Sequence, residues 1–121
     1  IAMARILLAE DDDSMRAFLK RALEKGGHDV EAVGDGIDAL AALISDRYDL
    51  LLADIVMPGL DGIELARRAS QDDPAMRVIL ITGFAAVALR ARTEAPSGAQ
   101  VLSKPMHLRE LVAQVDVILA A

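Results

Sequence analysis

Along the chain, short runs of apolar residues alternate with longer stretches in which apolar residues recur every three or four positions. The first pattern is typical of buried strands and the second of amphipathic helices. The predicted strands are Arg5–Ala9, Val30–Val33, Leu50–Ala53, Val78–Ile81 and Val101–Ser103. Helices are predicted to begin near Asp13, Ile37, Asp61, Phe84 and Leu108. Continuous apolar strands that alternate with helices predict a parallel sheet covered on both faces.

The helical periodicity rests on particular apolar side chains in each helix. In the first helix these are Met15, Phe18, Leu19, Ala22 and Leu23. In the second they are Ile37, Leu40, Ala41 and Ile44, and in the last Leu108, Leu111, Val112, Val115, Ile118 and Leu119. Gly26 and Gly27 are expected to end the first helix. The alternating second strand is expected at an edge of the sheet.

The size and composition narrow the class of protein. A chain of 121 residues predicts one domain, which we place at residues 4–121, with residues 1–2 a remnant ahead of a natural start at Met3. The net charge of −6 argues against a nucleic-acid partner, and the absence of cysteine excludes disulfides and thiolate metal sites. The apolar runs are far shorter than the roughly 20 residues that cross a bilayer. We therefore expect a cytoplasmic protein with no membrane partner.

Polar residues follow four of the predicted strands. Glu10 and Asp11 come after the first, Asp54 after the third, Thr82 ends the fourth, and Lys104 follows the fifth. Parallel sheets bind ligands outside the carboxyl ends of their strands. A cluster of carboxylates there is the oxygen-rich kind of site that Mg²⁺ prefers, and a cation would offset the repulsion between them. The pattern therefore predicts a Mg²⁺ site that also contains Lys104.

Taken singly, these residues allow ordinary structural roles. Asp12 and Asp13 could cap the first helix, Asp54 could be a turn residue, and Thr82 before Gly83 could belong to a simple turn. Their joint placement at one edge of the sheet is what favours a functional site.

These motifs resemble the CheY-like receiver domain of bacterial two-component response regulators. The resemblance covers residues 4–119 and rests on Glu10-Asp11, Asp54 with Met57-Pro58 and Asp61-Gly62, Thr82-Gly83, and Lys104-Pro105. It implies a flavodoxin-like, doubly wound α/β fold. In that fold five parallel strands take the order 2-1-3-4-5 and are accompanied by five helices.

The resemblance also implies roles for the site residues. Asp54 would be the phosphoacceptor, Thr82 the hydroxyl of the switch, and Lys104 the cation that meets the phosphoryl group, with a cis bond to Pro105. Mg²⁺ would be held by Glu10, Asp11, Asp54 and the backbone carbonyl of Val56. Such a chain catalyses only its own phosphorylation and dephosphorylation, so we do not class it as an enzyme.

Two positions depart from the family pattern. Val101 stands where the family commonly has an aromatic residue that swings inward behind the threonine, and Met106 stands where it often has Phe. We therefore expect smaller shifts at Val101 or Phe84 to report phosphorylation.

The resemblance implies a histidine kinase or histidine phosphotransfer protein as phosphodonor and a protein effector as output. Residues 4–36 and the chain length further resemble stand-alone CpdR-type receivers, which are adaptors that prime a AAA+ protease of the ClpXP type in cell-cycle control. Two alternatives are a phosphorelay intermediate and a Mg²⁺-dependent phosphohydrolase. Phosphohydrolases of this topology usually carry a second acid two residues after the nucleophile, where this chain has Val56.

Overall fold

The computed structural model describes residues 3–104 and 106–120, and these residues form a parallel sheet flanked by helices. The elements in chain order are β1 (Arg5–Ala9), α1 (Asp13–Lys25), β2 (Asp29–Val33), α2 (Gly36–Ser45), β3 (Leu50–Asp54), α3 (Gly62–Asp72), β4 (Arg77–Thr82), α4 (Ala85–Glu94), β5 (Gln100–Ser103) and α5 (Leu108–Ala120). Each predicted element is present, with small shifts at its ends. Among the described residues, no helix combines the length and apolarity needed to span a bilayer.

The strands are parallel and lie in the order β2-β1-β3-β4-β5, which confirms the expected 2-1-3-4-5 sheet with β2 at an edge. The chain leaves β1 towards β2 on one side and then crosses to β3 on the other. This reversal opens a crevice at the carboxyl ends of β1 and β3, where ligands bind in folds of this kind.

Alternate strand residues supply two separate cores. One face of the sheet packs against buried residues of α2, α3 and α4. The other face packs against α1 and α5, and it buries Leu111, Val115 and Ile118 as the periodicity of the last helix predicts. Because both faces are covered, β3 is buried along its whole length and its last residue, Asp54, lies in a largely dry environment.

The apolar residues that mark α2 in the sequence do not all face the sheet, since Leu40 packs partly buried against the core whereas Ala41 is exposed. Ile37 and Ile44 are 57% and 74% exposed, and α2 instead packs on the sheet through buried Ala39 and partly buried Leu43. Apolar residues surround much of this helix, so its period does not single out one face. Ile37 lies against Gly59 in the loop after β3, where an added Cβ would come within 2.8 Å of its Cγ1.

Phe18 is also outside the core, with 56% of its surface exposed. Leu19 and Leu23 fill the side of α1 that faces the sheet. Phe18 lies at the edge of an apolar groove that α1 forms with Met106 and Leu108.

At the opposite end of the sheet, a buried histidine links Ala4, the residue before β1, to α5. The Ala4 backbone N–H donates to His28 Nδ1 at 3.2 Å, and His28 Nε2 lies 3.2 Å from Asp116 Oδ1. Because Nδ1 accepts a hydrogen bond, the neutral ring carries its proton on Nε2, and this N–H donates a hydrogen bond to Asp116.

Candidate functional site

The acids predicted at the ends of β1 and β3 lie on either side of the crevice. The side chains of Glu10 and Asp54 are only 1% and 10% exposed. Asp11 lies at the surface beside them. Carboxylate oxygens of these three residues all lie within 4.8 Å of one another, so the acid cluster predicted from the sequence is formed.

Lys104 reaches this cluster from the end of β5. Its Nζ donates to Asp54 Oδ2 at 2.9 Å and to Glu10 Oε1 at 3.1 Å. Burial alone would lower the pKa of Lys104, but its hydrogen bonds to Asp54 and Glu10 outweigh burial and raise that pKa. The ammonium is therefore charged at neutral pH and joins the first, third and fifth strands at one point.

The remaining carboxylate oxygens accept backbone hydrogen bonds. Asp54 Oδ1 accepts the N–H of Val56 at 3.1 Å, and Glu10 Oε2 accepts the N–H of Asp12 at 3.1 Å. Burial raises the pKa of Glu10 above its ordinary value, while the Asp12 N–H and the Lys104 ammonium act against that rise. These contacts hold both buried carboxylates in defined orientations.

The donor set fits a hard divalent cation. Three carboxylates face a single ammonium, so the cluster has more negative than positive charge. Glu10 and Asp54 are buried, whereas Asp11 opens the cluster to solvent. Mg²⁺ usually binds through one or two carboxylates and keeps several of its waters, which requires such an open side. Glu10, Asp11 and Asp54 could therefore hold a metal ion.

Thr82 lies at the same edge of the sheet, at the end of β4. Ile81 pairs with Asp54 in the register of β3 and β4, so Thr82 is one residue beyond the phosphoacceptor candidate. Its side chain is buried, and its Oγ1 accepts the N–H of Phe84 at 3.2 Å. The hydroxyl thus contacts the residue that precedes α4, and its expected role as a switch stays a prediction.

Three other expectations also stay predictions. The backbone carbonyl of Val56 is expected as a metal ligand, and the residue adjoins the site through its N–H. Val101, on β5, is half-buried against the α2–α4 face of the sheet. Pro105, and with it the expected cis bond, lies outside the described residues.

Three further residues shape the site, and of these only Arg16 was not singled out from the sequence. Asp12 caps α1 by accepting the N–H of Met15 at 2.8 Å, an alternative that the sequence had left open. Gly62 allows α3 to start against β3, because an added Cβ would lie 2.5 Å from the carbonyl oxygen of Asp54. Arg16 donates to the carbonyl oxygen of Glu10 at 2.9 Å. The one available signal for Arg16 was its spacing of three residues from Asp13, typical of helical ion pairs.

The comparison with known proteins agrees with this geometry. Residues 6–116 match the family described as the response regulator receiver domain. The chain is 55% identical to the response regulator receiver protein CpdR of Brucella abortus over 119 residues, which cover 98% of this chain and 99% of that protein. It is 35% identical to the response regulator MprA of Mycobacterium avium and spans 50% of that protein's length.

Solved structures show the same likeness. A response regulator receiver protein from Sinorhizobium medicae superposes with a TM-score of 0.91 at 30% identity, covering 98% of this chain and 96% of that one. The response regulator TrrA of Thermotoga maritima, in complex with Mg²⁺ and BeF, superposes with a TM-score of 0.83 at 29% identity, covering 96% and 99%. The chain therefore belongs to the response regulator receiver domain family and has the CheY-like fold.

Proposed function

We propose that this receiver is a phosphorylation-controlled switch in which Asp54 accepts a phosphoryl group from a phosphohistidine. The observation that carries the proposal is the contact of Lys104 with both Glu10 and Asp54. It brings side chains from three strand ends together at the crevice of the sheet, where folds of this kind bind their ligands.

In the transfer, a carboxylate oxygen of Asp54 forms a bond to phosphorus while the phosphorus–nitrogen bond of the donor histidine breaks. The products are an aspartyl phosphate and a histidine that takes up a proton. Phosphoryl transfer depends mainly on positioning and on neutralising charge. Lys104 lies 2.9 Å from Asp54 Oδ2 and would contact an incoming phosphoryl oxygen. The same contacts would assist hydrolysis of the aspartyl phosphate, so the chain acts only on its own modification.

Glu10, Asp11 and Asp54, together with the backbone carbonyl of Val56, would hold Mg²⁺. When bound there, Mg²⁺ would offset the repulsion between the carboxylate and the phosphoryl oxygens. The complex of TrrA with Mg²⁺ and BeF, at 29% identity, supports a Mg²⁺ ion in a receiver of this fold.

Phosphorylation would add a charge of about −1.5 to −2 and strong acceptor oxygens beside the end of β4. The hydroxyl of Thr82 would turn to donate to one of these oxygens and would then release the N–H of Phe84 that it now accepts. The start of α4 would shift in response, and Val101 on β5 would repack by a small movement. This change biases two conformations that exist before phosphorylation.

We further propose that residues 4–121 act as one cytoplasmic domain between a phosphodonor and a protein effector. The donor would be a histidine kinase or a histidine phosphotransfer protein. The effector would be a AAA+ protease of the ClpXP type that acts in cell-cycle control. The likeness to the Brucella abortus protein named CpdR, at 55% identity over nearly the whole of both chains, supports a place among the CpdR-type adaptors.

The phosphoacceptor is tested by incubating the chain with a small phosphodonor and Mg²⁺ and trapping the acylphosphate for mass spectrometry. The label should lie on Asp54 and should be lost in Asp54→Asn. Asp61→Asn is a matched control, because Asn preserves the cap that Asp61 provides for α3. A label that persists in Asp54→Asn would refute the assignment.

The output is tested in a reconstituted degradation assay with a ClpXP-type protease and a substrate that depends on a CpdR-type adaptor. The wild-type chain should stimulate degradation in one phosphorylation state and not in the other, and Asp54→Asn should lose the response to phosphodonor. Degradation that is unaffected by the chain in both states would contradict the adaptor role.

A further inference from the structure

Arg16 contacts both ends of the loop that joins β1 to α1. Its Nη1 donates to the backbone carbonyl oxygen of Glu10 at 2.9 Å, and its Nη2 donates to Asp13 Oδ1 at 2.6 Å. The guanidinium therefore joins the two ends of the loop Glu10–Asp13. Its side chain is only 26% exposed, whereas the side chain of Asp13 is 90% exposed.

The turn after β2 leaves room for this guanidinium. A Cβ added at Gly34 would lie 3.2 Å from Arg16 Nη1 and 3.8 Å from its Cζ, so glycine allows the guanidinium to pack directly against the backbone. Gly34 does not have a positive φ, so its backbone conformation does not itself require glycine. The close approach of Arg16 is the feature that a larger residue would disturb.

The loop held by Arg16 carries two of the acids at the site. Glu10 has a partner at each of its polar groups: its N–H donates to Val33, its carbonyl oxygen accepts from Arg16, and its carboxylate accepts from Lys104 and the N–H of Asp12. Asp11 follows directly and is exposed. The direction of the Glu10 carbonyl sets the course of the chain into Asp11, because the two share a peptide plane.

We infer that Arg16 is a positioning residue for metal binding, which orients the backbone between Glu10 and Asp11 so that both carboxylates face the ion. This inference rests on the proposed function, since it assigns Arg16 a part in the same Mg²⁺ site. Arg16 does not itself touch the ion or the phosphoryl group. Its hydrogen bonds act through the loop, in the way that partners of metal ligands commonly act.

A positioning role and a purely electrostatic role for Arg16 predict opposite changes in Mg²⁺ affinity when Arg16 is replaced. A positive charge close to a cation site repels the ion, so removing the charge alone would tighten Mg²⁺ binding. Loss of the two hydrogen bonds would loosen the ligand loop and weaken binding. A planar guanidinium can make both bonds at once, whereas the compact ammonium of lysine keeps the charge without this fork.

The experiment measures the Mg²⁺ dissociation constant of the whole chain by calorimetric titration. We expect Arg16→Gln and Arg16→Lys each to raise it about tenfold. Gly34→Ala should raise it by a smaller factor, because the new methyl displaces the guanidinium without changing any charge or acid. Arg21→Gln, an exposed arginine on the same helix, should leave it unchanged.

A second readout separates positioning from folding. The half-saturating Mg²⁺ concentration for phosphorylation by a small phosphodonor should rise in the Arg16 variants, while the rate at saturating Mg²⁺ should largely recover. Melting temperatures without metal report any loss of fold. A lower melting temperature with unchanged Mg²⁺ affinity would overturn the inference and leave Arg16 a structural residue.

Tighter Mg²⁺ binding by Arg16→Gln, or wild-type affinity in Arg16→Lys, would also overturn the inference. Both results would leave the proposed function intact, because the wild-type chain would still bind Mg²⁺ and accept phosphoryl. A wild-type chain that does neither would overturn the proposed function and the role of Arg16 with it.

Discussion

Replacing Lys104 with Met tests how the site is held together when no metal is bound. The substitution removes the ammonium but keeps an unbranched side chain that can fill most of the same space. Glu10 and Asp54 would remain as neighbouring carboxylates with side chains 1% and 10% exposed. Neither would have the cation that both contact in the native site.

The size of the effect follows from burial. Removing one partner of a buried ion pair typically destabilises a protein by 3–5 kcal/mol, because the other charge is left without compensation. Lys104 is itself 26% exposed, so water already weakens its ion pairs and the lower end of the range applies. We therefore expect Lys104→Met to lower the free energy of unfolding by about 3 kcal/mol near neutral pH. The melting temperature should fall by roughly 10 °C.

The assay is urea denaturation followed by far-ultraviolet circular dichroism, since the chain contains no tryptophan to report by fluorescence. It is run in chelator, in millimolar Mg²⁺ and at lower pH. Mg²⁺ should recover much of the lost stability by supplying positive charge, and acid should do so by protonating Glu10. Lys20→Met on α1 is the matched control and should change the stability little.

Two results would refute this reasoning. One is an unchanged free energy of unfolding for Lys104→Met in chelator near neutral pH. The other is a loss of stability that neither Mg²⁺ nor acid reduces, because that loss would come from packing and not from uncompensated carboxylates.

Three further predictions use the same denaturation assay. Gly62→Ala should cost about 2 kcal/mol, because its Cβ would lie 2.5 Å from a backbone oxygen, whereas Gly83→Ala, with no atom nearer than 3.9 Å, should be nearly neutral. His28→Ala should cost about 2 kcal/mol by leaving both hydrogen-bond partners of the ring unpaired, and His107→Ala, at an exposed position, should cost little. Equal effects within either pair would contradict the contacts described. Burial raises the pKa of Glu10, so the folded metal-free chain binds a proton on this carboxylate more tightly than the unfolded chain does. Protonation of Glu10 therefore favours folding below its ordinary pKa of 4.5, and this contribution is lost as the pH rises through the raised value. Urea midpoints should fall over that interval in the wild-type chain, and a fall of the same size in Glu10→Gln would assign it to another group.

The second helix illustrates where sequence reasoning stops. Its apolar residues recur at helical spacing, and this correctly located α2. The same residues lie around much of its circumference, so the spacing did not determine which side meets the sheet. The structure buries Ala39 and leaves Ile44 74% exposed, because small side chains let the helix pack closely against β-strands that are themselves lined with leucine.

The functional site likewise contains some features that the sequence predicted and others that it did not. The sequence placed Glu10, Asp54, Thr82 and Lys104 at strand ends, and the structure brings all four to one edge of the sheet. The sequence provided no reason to expect that the Thr82 hydroxyl accepts the N–H of Phe84 or that Arg16 donates to the carbonyl oxygen of Glu10. Those contacts depend on side-chain direction and on the shape of a short loop, which apolar and polar patterns do not encode.

By itself, the sequence determined the alternation of strands and helices, the burial of the central strands and the appearance of polar residues where those strands end. These features are local, since each follows from the spacing of apolar residues within about a dozen positions. The strand order came only from the likeness to a known family. The tertiary structure alone decided that Lys104 meets Glu10, 94 positions earlier in the chain, and Asp54 at one point. That meeting requires β1, β3 and β5 to take particular places in the sheet, and strand neighbours are chosen by the packing of the whole chain.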